Sequence, residues 1–413
     1  MQAEEGMKVE RNSIYLIPPR YNLTVADGRL NLSEQHREKG LNLPIDIFFN
    51  SLAKESQEKA IAIILSGTGS DGANGVKKIF ESGGLVLCQS LESAKFDGMP
   101  KSAIATNTVH KVMHPNKMGA YIESYRKALA SQAPNSLTNQ KNNYSEIFAL
   151  LSKKFHVDFG VYKRTTINRR IERRIQALMI NSLKQYTARL NSDDDELRYL
   201  FDDLLISVTS FFRDPEIFDY IYSTVIPRLF ESNRQTQEIR IWVPGCASGE
   251  EAYTLAILLK EYSDKIGVRY DIKIFASDIN KKALSYANVG TYSESQVFPV
   301  GKERLEKFFK PKGDHYTIVN EIRNLIVFAP QNLLTDPPFT RVDMISCRSL
   351  MIYIQPEIQE KLIGTFHFPL NVMGFFFLVL AKESVLLQTY LLAPTTASRF
   401  LRKQKIQGLP RLI

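Results

Sequence analysis

The sequence of 413 residues contains only three cysteines, Cys88, Cys246 and Cys347. An odd number of widely spaced cysteines, with no CxxC pair, excludes a disulfide framework and a cysteine-based zinc site. The longest apolar run, Val372 to Ala381, is about half the length that a membrane-spanning helix needs. The amino-terminal stretch MQAEEGMKVE lacks the basic start and apolar core of a signal peptide. We therefore expect a soluble cytoplasmic protein without a transmembrane segment.

The composition gives no indication of disorder, because 44% of the residues are hydrophobic and 23% are charged, as in globular proteins. The length predicts two or three domains. The net charge of +9 favours an acidic partner, which could be nucleic acid, an anionic membrane or an acidic protein surface. Composition alone leaves that choice open.

Strand-like and helix-like segments alternate in the first part of the chain, to about residue 115. The stretch NLTVADGRLNL, 22–32, predicts a hairpin around its Asp-Gly pair. An apolar strand at 60–65, a helix through Phe80 and a strand at 85–88 form a strand-helix-strand unit, which is typical of a parallel sheet. A helix near 117–130 is followed by SQAPNSLTNQKNN, a polar linker.

Apolar residues with helical spacing continue from residue 144 to about 233 and predict an all-α domain. From Ile239 onward strands and helices alternate again, which predicts a doubly wound, Rossmann-like α/β domain. The short pieces HYTIV and NLIVF predict a small β insertion within it. The predicted organisation is an α/β domain at 1–115, a helix and linker at 116–143, an all-α domain at 144–236 and an α/β domain at 237–413 with its insertion at about 290–328.

The stretch IWVPGCASGEEAYTLAI, 241–257, has the spacing of neither a nucleophile elbow nor a phosphate-binding P-loop. What remains is a strand, two glycines that admit a close ligand and a helix that begins at Glu250. Because acids at a helix start repel a phosphate, a pyrophosphate ligand is disfavoured. Asp278 ends the next strand, where its carboxylate could accept hydrogen bonds from both hydroxyls of a ribose. On spacing alone, S-adenosylmethionine and a purely structural glycine turn remain equally good interpretations.

Five segments, in their chain order, resemble the chemotaxis receptor methyltransferase family (CheR-type). They are VTSFFRDPEIF, IWVPGCASGEEAYTLAI, IKIFASDIN, APQNLLTDPPF and FTRVDMISCRSLMIYI. The likeness runs from about Tyr144 to the carboxyl terminus. It implies transfer of a methyl group from S-adenosyl-L-methionine to glutamate side chains on the cytoplasmic helices of chemoreceptor-like proteins, with S-adenosyl-L-homocysteine as the product.

The resemblance also implies a set of site residues. Those expected to contact the cofactor are Ser207, Thr209, Arg213, Glu250, Glu251, Asp278, Asn332, Leu333, Arg348 and Ser349. Arg213 can hold a carboxylate of the cofactor or of the substrate through two hydrogen bonds. Tyr353 matches a family tyrosine near the methyl acceptor, although a core tyrosine is the alternative interpretation. Because a glutamate is already ionised at neutral pH, catalysis needs orientation and exclusion of water rather than a strong base.

The first part of the chain resembles the carboxyl-terminal portion of the receptor methylesterase family (CheB-type). The matching segments are IYLIPPRYNLTVADGRLNL, PIDIFFNSLA, ILSGTGSDGANG and FDGMPKSAI. Asp71 matches the aspartate of that family's Ser-His-Asp triad, whose serine and histidine would precede residue 1. We therefore expect a truncated α/β methylesterase fragment without esterase activity. The glycines of 67–72 also fit GxGxxG, and a dinucleotide-binding enzyme is the weaker interpretation of that turn.

The basic segment KRTTINRRIERR, 163–174, has two interpretations. Its composition favours a solvated helix face over nucleic-acid binding, whereas the family resemblance implies docking on an acidic receptor helix bundle. Other two-component signalling proteins are further expected partners, and the β insertion resembles an element that grips a receptor tail by strand addition. His110 and His114 predict no metal site, because they would share one strand face without a carboxylate partner.

Several residues depart from the family pattern. Ser207 and Ser349 stand where asparagine is usual, and each could weaken cofactor binding by about 1 kcal/mol. Phe375 and Leu380 replace glycines near the carboxyl terminus, which predicts a distorted terminal hairpin. A catalytically weak or inactive module that binds receptors therefore remains the alternative function.

Overall fold

The computed structural model describes residues 1–35, 42–106, 108–131, 144–178, 180, 182–205, 209–313, 315–348, 350–380, 383–389 and 401–405. The chain divides into two compact units. The first comprises Met1–His156, Ile167–Leu204 and Ser293–Phe298, and the second comprises Val157–Thr166, Leu205–Tyr292 and Pro299–Ile413.

A hairpin and a small parallel sheet form the first part of unit 1. Its elements are β1 (Tyr21–Ala26), β2 (Arg29–Glu34), α1 (Pro44–Ser56), β3 (Ile61–Ile64), α2 (Ala73–Glu81), β4 (Leu85–Gln89), α3 (Gly98–Ala105), β5 (Lys111–Met113) and α4 (Pro115–Ser131). The sheet has the order β3-β4-β5 with parallel pairing, as the strand-helix-strand pattern predicts. Asp27 and Gly28 have φ angles of 51° and 69° and connect the antiparallel β1 and β2, which confirms the hairpin.

Four helices follow, and they confirm the predicted all-α segment. They are α5 (Tyr144–Phe155), α6 (Arg164–Ala177), α7 (Leu183–Ser192) and α8 (Asp194–Leu204). Ile167, Ile171 and Ile175 lie on one stripe of α6 and are buried, because a spacing of four brings them to the same helix face. Residues 132–143 of the predicted linker lie outside the described residues.

The basic segment on α6 is only partly available to a partner. Arg170 and Arg173 are 6% and 5% exposed, and their guanidinium groups lie 4.7 Å and 5.4 Å from the centre of the Phe80 ring. A planar guanidinium can be buried in this way because it stacks on an aromatic face. Neither interpretation of 163–174, a solvated helix face or a docking face, holds for these two arginines, whereas Arg164 and Arg169 are exposed.

The elements from residue 215 onward alternate between helices and strands. They are α9 (Pro215–Tyr220), α10 (Ile226–Ser232), β6 (Glu238–Pro244), α11 (Glu250–Ile266), β7 (Asp271–Asp278), α12 (Lys281–Val289), β8 (Thr291–Ser293), α13 (Glu294–Val297), α14 (Lys302–Phe308), β9 (Phe309–Lys312), β10 (His315–Ile318), α15 (Asn320–Arg323), β11 (Ile326–Pro330), β12 (Val342–Cys347), α16 (Pro356–His367), β13 (Leu370–Leu380), β14 (Glu383–Thr389) and β15 (Leu401–Lys405). None of the described helices is both long and apolar enough to cross a bilayer.

The main sheet of unit 2 confirms the predicted Rossmann-like fold. Its strand order is β11-β7-β6-β12-β13-β14-β15. The first five strands are parallel to one another, β14 is antiparallel to β13, and β15 is antiparallel to β14. The chain adds β7 and β11 on one side of β6 and then β12 and β13 on the other. The carboxyl ends of β6 and β12 therefore flank a topological switch point, where ligands of such sheets bind.

The inserted β element is shorter than predicted. Its three strands have the order β8-β10-β9 and end at Ile318, whereas β11 pairs in parallel with β7 in the main sheet. The predicted insertion at 290–328 was therefore wrong for NLIVF, because a short apolar run does not reveal which distant strand it will pair with.

The expected distortion is absent from the pairing of β13 with β14 at Phe375 and Leu380, whereas the pairing of β12 with β13 shifts its register just before Phe375. Both residues lie in β13, and six consecutive residue pairs join β13 to β14, from Phe375 with Gln388 to Leu380 with Glu383. Phe375 is buried, with 2% of its surface exposed. An extended strand accepts any side chain, so no glycine is required at these two positions.

Candidate cofactor-binding site

A sharp turn after β6 forms the floor of the candidate site. Gly245 and Gly249 have φ angles of 69° and 93°, and Gly249 is the residue before the first turn of α11. A Cβ atom on Gly249 would lie 2.8 Å from the Cβ of Ala287, and one on Gly245 would lie 3.2 Å from the Cβ of Leu350. Both the backbone conformation and the close packing therefore require glycine, as the strand-glycine-helix pattern predicts.

Asp278 lies at the end of β7, beside this turn. Its two carboxylate oxygens accept hydrogen bonds from the backbone N–H groups of Ala247 and Asn280, each at 2.8 Å. Burial raises the pKa of Asp278, and these N–H groups partly offset that rise by stabilising the ionised form. Because each carboxylate oxygen has two lone pairs, the group can still accept hydrogen bonds from a ligand.

A cleft opens at the carboxyl ends of β6, β7, β11 and β12. Its walls contain Tyr162, Leu205, Gly245, Ala247, Asp278, Ile279, Gln331, Asn332, Leu333, Leu334, Leu350, Tyr353, Ile354 and Leu362. Four predicted site residues, Asp278, Asn332, Leu333 and Tyr353, are therefore brought together in one cleft. A mostly apolar wall with a few polar groups suits a nucleoside.

Other predicted site residues form a charged cluster around Glu251. The hydroxyl of Ser346 donates a hydrogen bond to Glu251 at 2.5 Å, and Nη2 of Arg348 donates to Asp214 at 2.6 Å. Burial raises the pKa of Glu251, whereas the positive charges of Arg348 and Arg213 and the Ser346 hydrogen bond lower it. The cluster thus places acidic and basic groups together in a buried environment.

The remaining predicted residues lie apart from the cleft walls. Thr209 and Glu250 are 7% and 1% exposed, and Glu250 accepts a hydrogen bond from the hydroxyl of Ser248 at 2.7 Å. Ser207 and Ser349 lie outside the described residues.

The sequence reasoning missed two polar residues of the cleft, Gln331 and Tyr162. The side-chain nitrogen of Gln331 donates to the carbonyl of Pro337 at 2.9 Å, whereas its buried Oε1 has no hydrogen-bond partner among the described residues. Gln331 could have been found, because it directly precedes Asn332 at the end of β11. Tyr162 gave no such signal, because it lies about 80 residues before β6 in the sequence.

The predicted triad aspartate, Asp71, lies in unit 1. Its carboxylate accepts hydrogen bonds from the backbone N–H groups of Ile45 and Asp46, each at 3.0 Å, and thereby caps the start of α1. A Cβ atom on Gly72 would lie 2.8 Å from the Ile64 side chain and 2.9 Å from that of Ile45. Helix packing therefore accounts for this glycine of the GxGxxG match.

His110 does not lie in a metal cluster. Its Nδ1 accepts a hydrogen bond from the backbone N–H of Val86 at 3.0 Å, and its ring packs on Phe80. Among the residues that the structure describes, no group of three or more histidine, cysteine or acidic side chains could hold a metal ion.

The sheet, the glycine turn and the acidic end of β7 define the class of protein, which is a Rossmann-like domain with a cleft for a nucleoside. Comparison with protein families gives three matches. Residues 207–389 match the SAM binding domain of CheR methyltransferase, residues 142–205 match its all-alpha domain, and residues 1–122 match CheB methylesterase.

Three relatives extend this comparison. An uncharacterized 104.1 kDa protein of Rhodobacter capsulatus is 36% identical over 399 residues, which cover 91% of this chain and 42% of that protein. The chemotaxis protein methyltransferase of Borreliella burgdorferi is 30% identical over 55% of this chain and 83% of its own length. That of Listeria innocua is 32% identical over 52% of this chain and 80% of its own length.

The chain belongs to the CheR methyltransferase family and carries a CheB methylesterase segment before its methyltransferase domains. It spans less than half of the length of the Rhodobacter capsulatus relative. The matched SAM binding domain contains the glycine turn, Asp278 and every residue of the cleft wall except Tyr162 and Leu205.

Proposed function

We propose that this chain transfers a methyl group from S-adenosylmethionine to glutamate side chains on the cytoplasmic helices of chemoreceptor-like proteins. The observation that carries the proposal is the position of Asp278. Asp278 lies in the wall of a mostly apolar cleft at the switch point of the sheet, where its carboxylate can accept hydrogen bonds from the hydroxyls of a ribose.

The residues present fit the cofactor. The cleft wall is mostly apolar, as the adenine ring requires, and the buried Oε1 of Gln331 could accept a hydrogen bond from the adenine amino group. Such a contact would satisfy an acceptor that is otherwise costly to bury. The Glu251 cluster suits the amino acid part, because Glu251 can hold an ammonium group and Arg213 a carboxylate.

The cofactor supplies an activated methyl group on a positively charged sulfur. Tyr353 lines the cleft. We propose that its hydroxyl orients the incoming glutamate through a hydrogen bond. The apolar side chains of Leu333 and Leu350 exclude water, which makes the glutamate carboxylate a better nucleophile. Arg213 adds a positive charge that can hold either carboxylate in place.

Receptor docking is assigned to the exposed part of α6. Arg164 and Arg169 are exposed, so they can contact an acidic receptor surface, whereas Arg170 and Arg173 are buried. For the methylesterase segment we propose a structural role without esterase activity. The carboxylate of Asp71 already caps α1 through two backbone hydrogen bonds.

The proposed function is tested with methyl-labelled S-adenosylmethionine and the soluble cytoplasmic fragment of a chemoreceptor. We expect label on the receptor fragment that mild base releases as methanol, because a glutamyl methyl ester is base-labile. A receptor fragment whose acceptor glutamates are changed to alanine should remain unlabelled. The Glu261→Gln variant of the chain should label the receptor fragment as the wild type does, because Glu261 lies on α11 but pairs with Arg304 away from the cleft. Labelling no higher than in the absence of the chain would refute the proposal.

A further inference from the structure

A short segment around Tyr162 is hydrogen-bonded to the segment that carries Tyr353. The backbone N–H of Lys163 donates to the carbonyl of Tyr353 at 2.8 Å, and the N–H of Gln355 donates to the carbonyl of Val161 at 2.9 Å. Tyr162 and Ile354 thus face each other in an antiparallel bridge. The backbone at Tyr162 is therefore held on both sides by hydrogen bonds to the segment that carries Tyr353.

The side chain of Tyr162 forms part of the cleft wall, together with Asp278. Burial, together with the negative charge of Asp278, raises the pKa of Tyr162 to about 12. The phenol is therefore neutral at physiological pH and keeps its proton. Its hydroxyl donates no hydrogen bond to another residue in the described part of the chain.

A phenol and a carboxylate in one wall are complementary to a ribose hydroxyl. Such a hydroxyl is both a donor and an acceptor, so it can donate to Asp278 and accept from Tyr162 at the same time. A carboxylate alone would leave the acceptor side of the ribose oxygen without a protein partner.

We propose that Tyr162 is a nucleoside-positioning residue, whose hydroxyl donates a hydrogen bond to the ribose oxygen that donates to Asp278. This inference rests on the proposed function, because it assumes that the nucleoside lies in this cleft. It assigns part of cofactor recognition to a residue that lies within the all-alpha family match, 142–205, rather than within the SAM binding domain.

The test compares the wild type with Tyr162→Phe by calorimetric titration with three ligands. They are S-adenosylhomocysteine and its 2′-deoxy and 3′-deoxy analogues. The variant keeps the ring and the backbone bridge and removes only the hydroxyl. We expect it to bind S-adenosylhomocysteine about 10-fold more weakly, as loss of one hydrogen bond predicts. For one of the two deoxy analogues the wild type and the variant should bind equally, because the ribose partner of Tyr162 is then missing.

Equal affinity of the wild type and Tyr162→Phe for S-adenosylhomocysteine would overturn the inference. An equal loss for all three ligands would also overturn it, because the effect would then come from packing. Tyr222→Phe is the matched control, since Tyr222 is half-buried and lies outside the cleft wall. A wild type without affinity for S-adenosylhomocysteine would instead refute the proposed cofactor, a distinguishable result.

Discussion

The buried carboxylate of Glu251 offers a test of which residues bind the amino acid part of the cofactor and which bind its nucleoside. The structure places it on α11, with a hydrogen bond from Ser346 at 2.5 Å and with Arg348 and Arg213 as its positive neighbours. In our account it holds the ammonium group of the cofactor. The Glu251→Gln variant keeps the shape of the side chain and an acceptor for Ser346, and removes the negative charge.

The expected loss follows from the strength of a hydrogen bond to a charged group, about 1.5 to 3 kcal/mol. Such a loss weakens binding of S-adenosylhomocysteine by about 10- to 150-fold. The nucleoside 5′-methylthioadenosine has no amino acid part, so Glu251→Gln and the wild type should bind it with equal affinity. Calorimetric titration with both ligands measures the two effects on the same protein.

Two results would refute this reasoning. Unchanged binding of S-adenosylhomocysteine would show that Glu251 does not hold the ammonium group. An equal loss for both ligands would show that the variant disturbs the cleft as a whole. Thermal unfolding identifies the latter case, because removal of one charge from a buried cluster can destabilise the fold by about 3 to 5 kcal/mol.

Two further predictions concern unit 1. Burial raises the pKa of Asp46 from 3.8 to about 7, so between about pH 4 and pH 7 the unfolded chain loses a proton that the folded chain retains. The free energy of unfolding should therefore fall as the pH rises through this window, by up to about 4 kcal/mol, and Asp46→Asn should remove that fall. The Phe80→Leu variant should destabilise the unit by about 2 kcal/mol, because Arg170 and Arg173 lose the aromatic face on which they stack.

Urea unfolding followed by circular dichroism checks both predictions, and the chain offers a control for each. Glu92 is exposed, so Glu92→Gln should leave the pH dependence unchanged. Phe96 is 52% exposed beneath Lys95, so Phe96→Leu should change the free energy of unfolding by less than about 0.5 kcal/mol. An Asp46→Asn variant with the pH slope of the wild type, or equal costs for the two phenylalanine variants, would contradict the respective prediction.

Local patterns in the sequence were sufficient for much of the fold. The hairpin at Asp27 and Gly28 was predictable because two adjacent residues with positive φ favour such a pair. The turn at Gly245 and the acid at Asp278 were predictable because Gly245 directly follows β6 and Asp278 is the last residue of β7. In a parallel sheet the ends of neighbouring strands meet at one edge.

Contacts between distant parts of the chain were not predictable in this way. The arginines of α6 are buried because Phe80, 90 or more residues earlier, supplies the ring on which they stack. The pairing of β11 with β7 and the approach of Tyr162 to Asp278 likewise depend on tertiary structure, and neither leaves a periodic pattern in the sequence.

The most direct test of the central claim is calorimetric titration of the full chain with S-adenosylhomocysteine, with Asp278→Ala as the variant. Asp271 begins the same strand and is exposed, so Asp271→Ala is the matched control, and thermal unfolding checks that each variant is folded. The account predicts micromolar binding by the wild type and by Asp271→Ala, and binding at least about 100-fold weaker by Asp278→Ala, since two hydrogen bonds to a charged group are lost. Equal binding by a folded Asp278→Ala variant would contradict it.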